Sequence, residues 1–393
     1  MNGRLSTRVG RLQPSATLAV SDKAAALRVQ GVDVLSFGAG EPDFPTPQHV
    51  IDAGIAALRA GDTKYPTPVA GIRGLRDAIC RYLSQHAGLR YTAEQVCVGV
   101  GAKDILYRAF VALLDPGDEA LIPVPFWVSY PDQVALADGT PVLVRPHEAG
   151  RMKITADELE SALTPASRVL ILNSPSNPSG AVYSRAELEA LCEVVRGRDL
   201  FVVSDEIYHR LVFDGQAACA SVASIDGMYE RTLTVNGVSK TYAMTGWRLG
   251  FAAGPPAVIA AMNRLQGQMT SGPASFVQTA AIAALEGDQQ PVQEMRKAYL
   301  RRRDLMVERL NALPGVRCEP PLGAFYCFPD VSRACETLGL ADGTALAETL
   351  LERAHVAVVP GAPFGSPNHV RFSFATSDER IAAGMDRVAS ALV

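Results

Sequence analysis

At 393 residues the chain has room for between two and three domains of roughly 150 residues each. A hydrophobic share of 48% with 20% charged residues excludes disorder for its bulk. Lys plus Arg number 37 and Asp plus Glu 41, so the net charge of −4 supplies no broad positive field to gather nucleic acid or anionic lipid.

In chain order, the opening segment carries arginines and only a short apolar run, Ala16 to Val20, too brief for the core of a signal peptide, so export is not expected. Residues 1–45 show no strand–helix rhythm and end in the rigid crossing Glu41-Pro42-Asp43-Phe44-Pro45-Thr46-Pro47, so this segment is expected to pack beside the C-terminal part of the chain. From about residue 70 to 255, short β-rich runs alternate with helical stretches, the signature of βα units and a parallel sheet. The predicted strands are Gln95–Val100, Glu119–Val124, Pro141–Arg145, Arg168–Leu172, Leu200–Ser204, Thr232–Val235 and Leu249–Ala253; several are continuous apolar runs, as expected when both faces are covered. Between them, a helix over Ala102–Leu114 stops at Asp115-Pro116-Gly117, and another over Ser184–Arg196 opens with Ser184 and Glu187 in capping-box spacing. The apolar stretch Leu249 to Met262 is broken by Pro255 and Pro256 and falls short of the roughly 20 residues of a membrane helix. Beyond residue 285 a long charged helix, Pro291–Leu313, precedes short strands around Ala324–Phe328 and Val356–Val359. The expected layout is therefore a large doubly wound α/β domain over 46–285 and a smaller α+β domain over 286–393, joined by the segment 1–45.

The seven cysteines (80, 97, 192, 219, 318, 327, 335) are odd in number, form no CxxC pair, and sit mostly among apolar neighbours such as Val96-Cys97-Val98. They read as reduced core thiols of a cytoplasmic protein. Neither HExxH nor GxSxG occurs and the six histidines are scattered, so metalloenzyme and serine-hydrolase readings have little support.

The informative feature is where the unusual polar residues fall, because open α/β sheets bind ligands beyond the carboxyl ends of their strands. Successive predicted strands are followed there by Gly101-Ala102-Lys103, Pro125-Phe126-Trp127, Asn173 to Gly180, Asp205-Glu206-Ile207-Tyr208 and Asn236-Gly237-Val238-Ser239-Lys240. Each alone has a plainer reading. Gly99-Val100-Gly101-Ala102-Lys103-Asp104 has two glycines of a dinucleotide fingerprint but Asp104 where the third belongs; a phosphate cradle and a simple tight turn both remain open. Lys240 is the sole charge between Thr232 and Trp247, which suits a desolvated Schiff-base lysine or a loop-tip residue. Asp205 closes an apolar strand and needs a cationic partner or a capping role. Trp127 suits core packing as well as a ligand, Asn177-Pro178-Ser179-Gly180 suits a turn, and Arg248 and Arg371 suit solvated strand charges.

Taken together these residues match one cofactor. Pyridoxal 5′-phosphate needs a lysine amine, a carboxylate for its ring nitrogen, and a helix start with an arginine for its phosphate. Ser174-Pro175-Ser176-Asn177-Pro178-Ser179-Gly180, Ser204-Asp205-Glu206-Ile207-Tyr208 and Val238 to Gly250 (VSKTYAMTGWRLG) closely resemble the class I, fold type I aminotransferases. The likeness spans nearly the whole chain, from Ala39-Gly40-Glu41-Pro42-Asp43-Phe44 to Val370-Arg371-Phe372-Ser373-Phe374, and is nearest the bacterial aspartate/prephenate branch.

The resemblance implies roles. Lys240 would bind the cofactor covalently and shuttle the α-proton, Asp205 would pair with the ring nitrogen, and Tyr208 and Asn177 would hydrogen-bond the ring hydroxyl oxygen. Trp127 would stack on the ring. Arg248, Lys103 and the backbone of Gly101 and Ala102 would hold the phosphate, with Tyr65 reaching it from the other subunit of a homodimer. Arg371 would grip the substrate α-carboxylate, helped by Gly40 and Asn177. Two departures stand out: Ser176 and Ser179 replace the commoner Asn and Thr, and Gly237 stands where many relatives carry a serine near the phosphate.

The reading is thus a cytoplasmic, homodimeric transaminase acting by a ping-pong mechanism on an amino acid and a 2-oxo acid, aspartate and 2-oxoglutarate being favoured. Aromatic amino acids or prephenate form the alternative substrate class. A C–S or cyclopropane-carboxylate type lyase and a non-catalytic regulatory module are rivals, the latter weakened by the absence of a basic patch. For a distal carboxylate, the only cation between Tyr107 and Val128 is Arg108, and Pro14-Ser15-Ala16-Thr17 offers hydroxyls.

Overall fold

The computed structural model describes residues 6–10, 12, 16–148, 150–213 and 219–392. All seven predicted strands of the central region form, within a residue or two of their expected ends: β1 (Val96–Gly99), β2 (Glu119–Pro123), β3 (Thr140–Val144), β4 (Ser167–Asn173), β5 (Phe201–Asp205), β6 (Thr232–Gly237) and β7 (Gly250–Ala253). They join one sheet in the order β1-β7-β6-β5-β4-β2-β3. Its register is parallel throughout the run from β3 to β6. The exception is β7, antiparallel to both neighbours, so the sheet is mixed and not wholly parallel.

The central strands are buried along nearly their whole length, because helices cover both faces. On one face Ile105, Leu106 and Phe110 of helix α1 (Ala102–Leu113) pack on Ile122, Val203 and Val235. On the other, Leu188, Leu191 and Val195 of α2 (Arg185–Arg196) pack on Leu170 and Val202. Burying a Leu or Val side chain in this way contributes about 1.5–3 kcal/mol. The predicted capping box is present: Ser184 accepts from the Glu187 N–H while Glu187 reaches back to the Ser184 amide at 2.7 Å.

The long charged helix spans Gln290–Asn311 and packs against the C-terminal helix Asp378–Ala391. Beside it lies a three-stranded antiparallel sheet of β8 (Tyr326–Cys327), β9 (Val359–Pro360) and β10 (Val370–Ser373), with β10 central. The single strand expected over Val356–Val359 is in fact two: Val356–Ala357 pairs in parallel with Leu35–Ser36 before the chain enters β9. That pairing carries the N-terminal segment to the C-terminal part of the chain. Phe37 continues it, donating to the Ala357 carbonyl and accepting from the Ser373 amide, both at 2.8 Å. The cysteines are all free, six buried and Cys80 partly so.

Candidate functional site

One cavity of about 300 Å³ gathers Gly40, Ala102, Lys103, Trp127, Asn177, Asp205, Tyr208, Lys240, Arg248 and Arg371. The sheet explains most of this convergence. Parallel strands deliver the loops after β1, β4, β5 and β6 to one rim. Because β7 runs the other way, its start lies at that rim, and this is what brings Arg248, two residues before β7, to the same cavity.

Asp205 ends β5 and is almost fully buried. No arginine or lysine among the described residues forms a close ion pair with it; it accepts from the Tyr130 phenol at 2.7 Å and from the Ile207 amide at 3.2 Å. Burial pushes its carboxyl up to about 6 despite those two donors and the nearby Lys240 charge. Lys240 donates to the Gly40 carbonyl, and burial draws its amine down to about 8, with Arg371 and Arg248 adding to the shift while Glu41 and Asp205 oppose it. Buried acid and amine therefore titrate within physiological reach.

Arg371, on β10, is 2% exposed, which excludes a solvated strand position. Its guanidinium donates to Asn177 Oδ1 at 2.9 Å and to the Gly38 carbonyl at 2.8 Å, beneath the face of Tyr326 at 4.5 Å. Its Nε is buried with no partner among the described residues, a donor left for something in the cavity. The Gly38 carbonyl is in place because the chain passes Arg371 immediately after Phe37 has paired with Ala357 and Ser373. Tyr208 is buried, its hydroxyl 2.9 Å from that of Tyr326.

At the other end α1 starts at Gly101, whose φ of +83° suits glycine. A Cβ there would lie 2.6 Å from Arg248 Nη2, and one on Gly250 would lie 2.4 Å from the Ala102 nitrogen. The Gly101 amide donates to the Gly99 carbonyl at 2.8 Å, so Ala102 and Lys103 carry the open N–H groups of the first turn. Open amides, a close guanidinium and the Lys103 amine form a cradle for a phosphate; with an isolated carboxylate and a lysine across the cavity, the donor set fits pyridoxal 5′-phosphate. Lys103 Nζ lies 4.9 Å from the Trp127 ring centre, so the indole also serves as a cation platform.

Tyr65 and Arg108 do not line this cavity, the first having been expected at the site of a second subunit. Tyr65 stands on the surface at 86% exposure, outside the cavity of this chain. Arg108 is wholly buried on the far side of α1, bonded to the Val98 and Met262 carbonyls, and so is withdrawn from any substrate. Pro14 and Ser15 lie outside the described residues, as do the side chains of Ala16 and Thr17. Gly237 pairs with Gly250 inside the sheet, where a Cβ would meet the Leu249 carbonyl at 3.0 Å. Conversely, sequence reasoning passed over Tyr130, Asn173, Gly38 and Tyr326. For Asn173 a signal existed: it is the last residue of β4, in register with Asp205, and its side chain bonds the Asp205 carbonyl and the Asn177 amide. Among the described residues no cluster could hold a metal ion and no helix is long and apolar enough to cross a membrane.

Residues 32–388 match the family aminotransferase class I and II. An aspartate/prephenate aminotransferase of Cereibacter sphaeroides is 49% identical over 390 residues, covering 98% of this chain and 97% of the relative. An aspartate aminotransferase of Geobacillus stearothermophilus is 46% identical over 386 residues, 98% of each chain. The solved aspartate aminotransferase of Thermus thermophilus with maleate superposes with a TM-score of 0.94 at 44% identity over the full length of both chains.

Proposed function

The chain belongs to the class I and II aminotransferases, and we propose that within them it moves the amino group of aspartate to 2-oxoglutarate in two half-reactions at one site. It is a transaminase, and its cofactor is pyridoxal 5′-phosphate, which when bound supplies an electron sink for the pair released as the substrate loses its α-proton. The observation that carries the reading is the convergence of Lys240, Asp205 and Arg371 in one cavity, Asp205 and Arg371 buried and Lys240 partly so, each with a different charge environment.

Arg371 fixes the substrate α-carboxylate; Asn177 and Gly38 already hold two of its donors, so the guanidinium plane is set before substrate arrives. Lys240 Nζ, drawn down to about 8 by burial, would accept the substrate α-proton and hold it within the cavity as an ammonium, ready to be given up again in the same half-reaction. Asp205 holds a proton on the cofactor ring nitrogen, its own charge fixed by Tyr130. Ala102, Lys103 and Arg248 would hold the phosphate, Trp127 would stack on the ring, and Tyr208 with Asn177 would hydrogen-bond the ring hydroxyl oxygen; all of them line the cavity.

The choice of a dicarboxylate rests on relatives named for aspartate and on maleate in the Thermus relative. Aromatic walls from Trp127, Tyr130, Tyr208 and Tyr326, with a relative named for prephenate, favour a ring-bearing partner as the second reading. An amino-donor screen with 2-oxoglutarate, following glutamate, separates the two. Aspartate should exceed phenylalanine in kcat/KM by about tenfold or more, the worth of one charge-assisted contact, and Lys240→Ala should form no glutamate. Phenylalanine preferred over aspartate overturns the substrate assignment.

The working unit in this reading is a cytoplasmic homodimer, in which residues 46–285 form the large cofactor-binding domain and 1–45 pack with the small domain of residues 286–393. Tyr65 at 86% exposure, with Ile55, Leu58 and Met269 also exposed, supplies a face for the second copy. Mixing inactive Tyr65→Ala with inactive Lys240→Ala should restore part of the activity through hybrid dimers. A mixture that stays inactive after verified subunit exchange removes Tyr65 from the neighbouring site.

A further inference from the structure

Asp104 and Arg108 are charged residues behind the start of α1, outside the cavity lining, that the proposed chemistry does not use. Both lie on α1, one turn apart, and they fill the inside of the turn from Gly99 to Gly101. Asp104 Oδ2 accepts the Val100 N–H at 2.9 Å and meets Arg108 Nη2 at 3.1 Å. Arg108 in turn donates to the Val98 carbonyl of β1 at 3.0 Å and to the Met262 carbonyl at 3.2 Å. A Cβ on Gly99 would lie 2.2 Å from Arg108 Nη2 and 2.4 Å from Asp104 Oδ2, so the turn is wrapped tightly around this pair. The Arg108 side chain is wholly shielded and Asp104 retains 12% exposure.

A guanidinium buried so fully is costly to desolvate, and a well-packed apolar residue of its size would serve the fold as well or better. Its position suggests another use. Asp104 is the third residue of α1, and an anion there competes with a phosphate for the positive end of the helix. We propose that Asp104 and Arg108 form a positioning pair for the cofactor phosphate. Asp104 pins the Val100 amide, which sets the turn so that the Ala102 and Lys103 amides face the cavity. Arg108 absorbs the Asp104 charge, so the pin does not repel the dianion above it. The inference rests on the proposed cofactor reading, with phosphate at the start of α1.

The test uses protein freed of cofactor and compares equilibrium binding of pyridoxal 5′-phosphate with that of pyridoxal, which lacks the phosphate. Wild-type protein that binds the two equally would defeat the cofactor reading itself, whatever the pair does. Given a wild-type preference for the phosphate ester, Arg108→Met should weaken the ester about tenfold and leave pyridoxal within about twofold, as expected for one uncompensated charge near an anion. Adding Asp104→Asn to Arg108→Met should restore most of that loss, because the amide side chain keeps an acceptor for the Val100 N–H without the charge. Should Arg108→Met fail to fold, Asp104→Ala leaves Arg108 its two carbonyl partners and should still weaken the ester several-fold with pyridoxal unchanged. Equal losses for both ligands, no loss for either, or no recovery in the double variant overturns the proposal.

Discussion

The two ends of the substrate cavity treat charge in opposite ways. Around Asp205 and Lys240 the groups are stripped of water and given few partners, so the carboxyl rises to about 6 and the amine falls to about 8. Around Arg371 the cation is equally buried but surrounded: an amide oxygen, a carbonyl and the faces of Tyr326 and Phe364 at 4.5 and 5.2 Å take its charge and fix its plane. Burial lowers its pKa too, yet from so high a starting value that it stays protonated. The difference separates two tasks. A group that moves protons must be poised to change state, whereas one that recognises a carboxylate must be held in a single state and a single orientation.

The contrast is broken most severely by Asp205→Asn. The amide can occupy the same space but cannot hold a positive charge on a ring nitrogen, so the poised end loses its function while Arg371 keeps its partners. Turnover at saturating substrate should fall by about three powers of ten, about 4 kcal/mol of barrier, by analogy with other buried catalytic carboxylates. Steady-state kinetics with cofactor content measured in parallel checks it. Near-normal kcat in the loaded variant would remove Asp205 from the chemistry.

The two ends also differ in how far they could be read beforehand. Asp205 closes the apolar run Phe201-Val202-Val203, and Lys240 is the sole charge between Thr232 and Trp247; those breaks in pattern mark them out in the sequence. Arg248 was less accessible: only the antiparallel run of β7 puts a residue before that strand on the binding rim, and strand direction leaves no trace in hydrophobic periodicity. Arg371 alternates with apolar neighbours just as a solvated residue would, and its burial depends on Gly38, 333 residues away along the chain. Arg108 is the only cation between Tyr107 and Val128, but its rotation about α1 turns it into the core, which the sequence pattern does not disclose. Tyr130 was silent because an aromatic on a helix reads as packing until its hydroxyl is seen against Asp205.

Arg371→Lys sharpens the comparison at the recognition end. The lysine keeps the charge but loses the fork that meets Asn177, Gly38 and a carboxylate together. The expected loss is about 1.5–3 kcal/mol in kcat/KM, carried mostly by KM, since the proton-moving groups are untouched. A fall in kcat with unchanged KM would place Arg371 in the chemistry instead and erase the division between the two ends.

Tyr130→Phe is the mildest probe and acts only on the poise of Asp205. In the folded protein the phenol donates to the carboxylate, which favours the charged form, while burial opposes it and leaves the balance at about 6. Removing the hydroxyl leaves the burial and deletes a stabilising donor, so the sign is upward: Asp205 should hold its proton to a higher pH by about one unit, the equivalent of one modest hydrogen bond. Carbon-13 NMR of labelled aspartate carboxyls in the cofactor-free protein reads this directly, without turnover. Because the unfolded carboxyl titrates lower, raising the folded value also lowers stability above pH 6, so Tyr130→Phe should melt earlier at pH 8 than at pH 5 relative to wild type. An unmoved Asp205 titration, or an equal loss of stability at both pH values, would reduce Tyr130 to a packing residue and leave Asp205 poised by burial alone.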